Sequence, residues 1–133
     1  MKKILLALML MSTPAIAQTD ITINKRSQTM TVNSDYGNYR WAVSTARPGY
    51  STPSGTFRPY SLQPMHYSKK YDNSPMPNSI FFSGGYAIHA TPHVGNLGRP
   101  ASHGCVRLHP ANAKTLYDIV SKDRSGTTIR IIN

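Results

Sequence analysis

Only one stretch of this sequence carries a helical period. From Pro110 onward, apolar residues fall at Ala113, Leu116, Tyr117 and Val120, an i, i+3, i+4, i+7 stripe that predicts a single amphipathic helix. Pro110 suits its first turn, where the missing amide has no helical partner to lose, and Gly126 follows its end. The remaining regular segments are short and read as strands. Ile21 to Lys25 and Thr29 to Asn33 alternate apolar with Thr or Asn around Arg26-Ser27-Gln28, which predicts a hairpin, and Tyr39 to Thr45 continues the pattern. Ile80 to Ser83 and Tyr86 to Ala90 are joined through Gly84-Gly85, and Thr127 to Ile132 alternates as a final strand. The fold class is therefore mainly β, a compact sandwich-like domain with one helix directly after Cys105. A chain of 133 residues has room for one such core.

Between these strands lie a turn at Arg47-Pro48-Gly49, an irregular stretch from Thr52 to Pro59, and a long segment reaching Ser79. That segment shows no clear period but holds Met65, His66, Tyr67, Tyr71 and three prolines. Connections of this length in compact domains are functional or disordered, and the aromatic content predicts an ordered lid.

Fifteen Lys and Arg stand against five acids, all aspartate, for a formal charge of +10. Asp20, Asp35, Asp72, Asp118 and Asp123 are scattered singly, which speaks against a hydrolase built on two close carboxylates. Met1-Lys2-Lys3, the apolar run Ile4 to Met11 and Pro14-Ala15-Ile16-Ala17 read as a secretory signal peptide over residues 1–17, with the folded domain at 18–133. The apolar run is too short to span a bilayer, and no later stretch approaches that length. Export redirects the basic charge from nucleic acid toward anionic envelope material such as wall peptides or lipid headgroups. It also makes the single cysteine, Cys105, notable, since an unpaired thiol in an oxidising compartment is a bridge to another chain or a reactive group.

Four of the five histidines, His89, His93, His103 and His109, share the window from Ile88 to Pro110 with that cysteine. A thiol becomes a useful nucleophile when an imidazole takes its proton. Gly104, directly before Cys105, permits a tight turn that aims amide N–H groups at a developing oxyanion. Spacing alone does not choose the base: His103 shares a face with Cys105 in an extended segment, and His89 ends a predicted strand. His93 and His109 read as loop residues bonded to carbonyls, with His109 at the helix start. A metal site is a poor fit, because Pro92 breaks the helical geometry that the His89/His93 spacing would need.

The run Ser102-His103-Gly104-Cys105-Val106-Arg107, with His89 sixteen positions before the cysteine, resembles the signature of the L,D-transpeptidase catalytic domain family of the YkuD type. The segment from Arg47-Pro48-Gly49 through Thr52-Pro53-Ser54-Gly55-Thr56-Phe57 is similar to a second stretch common in that family. The resemblance implies Cys105 as nucleophile, His89 as general base, and the Ala90 carbonyl as the group orienting the imidazole. It implies that His103 and Gly104 shape the turn and contribute alongside the Cys105 amide to an oxyanion hole, with Ser102 in a supporting role. Arg107 would pair with a substrate carboxylate, and Tyr67 and Tyr71 would cover the donor peptide.

The implied reaction is acyl transfer on peptidoglycan stem peptides through a thioester, with neither metal nor cofactor. The acceptor would be a second diaminopimelate, giving a 3-3 cross-link, or a lysine of an outer-membrane lipoprotein. Resolution by water would make a carboxypeptidase, and loss of activity would leave a wall-binding protein.

Overall fold

The computed structural model describes residues 17–133; the expected signal peptide lies almost wholly outside the described residues. Nine strands form two sheets. Strands β1 (Thr19–Asn24), β2 (Thr29–Ser34) and β3 (Gly37–Ala42) make an antiparallel meander. Their sheet is completed by β9 (Thr127–Ile132), parallel to β1, and by β4 (Gly55–Phe57) on its far edge. The second sheet runs in the order β5 (Ser61–Ser68), β6 (Ser74–Ser83), β7 (Tyr86–Ala90) and β8 (Val106–Leu108), with β7 and β8 parallel. Helix α1 (Pro110–Lys122) follows β8.

One core joins both sheets and the helix. Ile21, Ile23, Met30 and Val32 face Ile80, Ile88, Val106 and Leu108 across it, and Ile129 and Ile131 close its floor. The helix contributes Ala113, Leu116, Ile119 and Val120, while Tyr117 packs half-buried at its margin. Burying one such Leu or Ile side chain stabilises the fold by about 1.5–3 kcal/mol, so this stripe holds α1 to the sheets. Pro110 occupies the first turn, and His109 caps it by accepting the Ala111 N–H on Nδ1 at 3.1 Å. His109 therefore receives an amide hydrogen; it does not bond a carbonyl as the sequence suggested.

Two irregular segments of the sequence are strands. Thr56 and Phe57 pair with β9, and most of the predicted lid is the hairpin of β5 and β6, whose tip is a short 3-10 turn at Lys69–Tyr71. Prolines 64, 75 and 77 hide its alternation, and Asp72 and Asn73 turn the tip at φ 54° and 53°. The Pro64–Asn78 pair is missing from the ladder and Asn78 sits at φ 53°. At that break the two faces exchange: Phe81 and, five residues earlier, Met76 turn to the same side, which strict alternation forbids.

Candidate active site

The parallel register of β7 and β8 builds the site. His89 pairs with Arg107, and two positions earlier Ala87 stands beside Cys105, so alternation places Cys105, Arg107, Ala87 and His89 on one face. The opposite face carries Ile88, Ala90, Val106 and Leu108 into the core. Above the first face opens a cavity of about 510 Å³ whose lining includes Cys105, His89, Arg107, His103 and the lid residues His66 and Tyr71.

His89 is buried, and its Nδ1 lies 2.7 Å from the Ala90 carbonyl oxygen. A carbonyl can only accept, so Nδ1 carries the hydrogen and Nε2 is left as the proton acceptor. Burial, followed by the fields of Arg107 and His66, lowers the His89 pKa to about 4 against the opposing Ala90 bond. Burial also raises the Cys105 thiol, only partly offset by the Ala87 amide and Arg107. Near neutrality the pair is therefore a neutral imidazole with a neutral thiol, suited to proton removal during attack. The acid limb of kcat/KM is expected near pH 4 and not near 6.5, and alkylation of Cys105 by iodoacetamide should keep rising through pH 9.0. A pH–rate profile whose acid limb falls at 6.5 or above would contradict this state.

The turn before Cys105 is pinned from two sides. Buried Ser102 donates its hydroxyl to the Cys105 carbonyl at 2.6 Å and accepts the Gly104 N–H at 3.0 Å. Thr52 donates to the Gly104 carbonyl at 2.8 Å and accepts the Ala46 N–H at 3.0 Å. Gly104 has φ 141°, and a Cβ there would stand 2.6 Å from Tyr86 Cε1 and 3.0 Å from the Ser51 carbonyl oxygen, so only glycine fits. The Gly104 amide, expected to serve an oxyanion, is committed to Ser102 instead.

His103 does not share the buried position of His89. Its ring stacks on Tyr71 from the lid tip at 4.2 Å and against Tyr50 at 4.7 Å, and each such pair contributes about 0.5–1.5 kcal/mol. Partial burial, then Arg47, Arg107 and Lys70, lowers the His103 pKa. Tyr71 thus closes one wall of the cavity. Tyr67, expected beside it, lies on the outer face of the lid, 55% exposed, because the break at Asn78 reverses the faces and turns His66 and Ser68 inward. His66 was not foreseen as a lining residue; it meets the Phe81 ring edge-on at 5.0 Å and bonds Gln63 at 2.8 Å. Thr52 was not foreseen either, although it lies in the stretch that carries the second resemblance. His93 also lines the cavity.

A free thiol, a neutral imidazole held in one tautomer and a pinned turn stand together at one cavity, an arrangement that can support nucleophilic chemistry at sulfur. The profile of the YkuD family, the L,D-transpeptidase catalytic domain, matches residues 18–131, and the chain belongs to that family. Solved structures agree in fold. An L,D-transpeptidase from Mycobacterium smegmatis superposes with a TM-score of 0.76 at 25% identity, covering 86% of this chain and 58% of its own. One from Stackebrandtia nassauensis gives 0.76 at 28% identity, covering 91% and 58%. An L,D-transpeptidase in complex with imipenem gives 0.76 at 21% identity, covering 86% and 59%. This chain therefore spans less than two thirds of the length of these structures. No curated protein matches it in sequence. Among the described residues no helix is long and apolar enough to cross a membrane.

Proposed function

We propose that this chain is a peptidoglycan L,D-transpeptidase that acts through a Cys105 thioester in the envelope, a Gram-negative periplasm when the export signal is taken together with a diaminopimelate-type substrate. The observation that carries the reading is the Nδ1 bond from His89 to Ala90 at 2.7 Å, which leaves Nε2 as acceptor on the face that holds the only cysteine. Nε2 takes the thiol proton as the sulfur attacks the carbonyl of the third stem residue, diaminopimelate. The Cys105 amide supports the oxyanion. The bond to the terminal D-alanine breaks, and His89 returns its proton to the departing amine. An acceptor amine then attacks the thioester, gives its proton to Nε2 and forms the new amide, and Cys105 regains its thiol.

Mass spectrometry of the protein with a disaccharide-tetrapeptide from a diaminopimelate-type wall tests this. The expected result is loss of D-alanine with a dimer joined 3-3. Tripeptide alone would mean resolution by water, and an adduct only when a lipoprotein lysine is supplied would mean wall anchoring. An untouched donor, with no carbapenem adduct on Cys105, would overturn the reading.

A further inference from the structure

Three cations from three separate segments gather around His103. Lys70 lies over the Tyr71 ring with Nζ 5.5 Å from its centroid, and Arg47 lies over the Tyr50 ring at 5.0 Å. Those rings are the two that hold His103. Arg107 joins from β8, half-buried in the cavity wall, its guanidinium reaching only the Ala101 carbonyl at 3.5 Å. None of the residues lining the cavity is an aspartate. Among the described residues the one ion pair is Lys114 with Asp118, on the exposed side of α1. Asp72, the aspartate next to the lid tip, lies outside the lining and pairs with neither lysine.

A basic surface that merely faces solvent spreads its charges apart. Here like charges converge on one ring, one of them carried there by the tip of the β5–β6 hairpin. Their mutual repulsion disfavours the arrangement, and the Tyr71–His103 stack offsets it. An anion seated among them would remove it.

We propose that the hairpin tip completes a carboxylate-binding site in which Lys70 joins Arg107 to hold a carboxylate of the acyl donor beside Cys105, with Arg47, outside the lining and over the Tyr50 ring, adding to the positive field. An anionic donor is then held by Lys70 from the hairpin tip, and the Tyr71–His103 stack fixes that tip in place. Lys70 is a specificity-determining residue of this site. The proposal rests on the acyl-transfer reading for the identity of its ligand. The carboxylate comes from the departing terminal residue or from the side chain of the residue to be transferred, and both present the same chemistry.

Alkylation of Cys105 tests the charge without requiring turnover. Iodoacetate and iodoacetamide react identically, with the thiolate sulfur displacing iodide and the thiol proton passing to buffer, but only iodoacetate is an anion. The ratio of their rates on the protein, relative to the same ratio on a small free thiol, is expected to exceed unity by about fivefold at low salt. Lys70→Gln should lower it about threefold, Lys70→Arg should keep it, and about 0.5 M salt should flatten it. Lys70 is exposed, so the fold survives either change.

With the tetrapeptide donor, amidating one carboxylate at a time should reduce kcat/KM for the wild type and much less for Lys70→Gln. Whichever amide does so names the carboxylate. An alkylation ratio equal to that of the free thiol, or unmoved by Lys70→Gln, overturns the site. Absence of turnover with every donor, beside a raised alkylation ratio, overturns the transpeptidase reading and leaves the anion site standing.

Discussion

Replacing Cys105 with alanine should abolish release of D-alanine and any covalent adduct while leaving the protein folded. The thiol is the only cysteine of the chain, and no neighbouring hydroxyl can stand in for it: Ser102 Oγ is occupied by the Cys105 carbonyl and the Gly104 amide. Loss of a nucleophile that acts as one unit with its base removes about 10⁴–10⁶ of the rate, with only binding and oxyanion stabilisation left. The sulfur packs at the edge of Met76, Phe81 and Ala87 and donates weakly to the Gly85 carbonyl at 3.9 Å, so the melting temperature should change little. Retained turnover in a folded Cys105→Ala protein would end the assignment.

His89→Ala is expected to reduce kcat/KM by about 10²–10⁴-fold, the range for removing a positioned general base. His103→Ala is the necessary comparison, because both imidazoles line the cavity that holds the thiol. Its loss should be smaller and should be expressed through the lid, since the ring is held between Tyr50 and Tyr71. The two variants also separate in stability. The folded pKa of His89 lies below its value of 6.5 in the unfolded chain, so the unfolded state binds more protons in that window. Its contribution is fully present above pH 6.5 and is lost as the pH falls toward about 4. His89→Ala should remove that acid-side slope from a series of denaturant titrations. Equal losses of activity in the two variants, with the slope retained, would point away from His89.

Local chemistry was the legible part. The apolar stripe of α1, the proline in its first turn and the alternation of β1, β2 and β9 each depend on a few neighbouring residues, and each is present as read. Ile119 completes the buried stripe. What escaped depends on partners far along the chain. The thiol and the two candidate bases are visible in the sequence, yet the burial of His89 follows from the parallel pairing of β7 with β8, which no local period reports. Tyr67 was misplaced because a single left-handed residue, Asn78, inverts the side-chain parity of the β5–β6 hairpin beyond the gap in its ladder between Gln63↔Ser79 and Met65↔Pro77. The Gly104 amide was assigned to an oxyanion because composition gives no sign that a hydroxyl two residues earlier would claim it.

The pairing of β1 with β9 imposes an order on how the molecule is made. Thr19 meets Thr127 and Asn24 meets Ile132, so the first strand must wait for a partner from the far end of the described chain. Until residues 127–132 arrive, the meander of β1, β2 and β3 has an open edge and β4 has nothing to pair with. Contacts of such long sequence separation are entropically late and slow to form. A nascent chain lacking its last strand would hold Cys105 and His89 without the sheet that supports them, so the folded site should arrive in one late step and not accumulate with length.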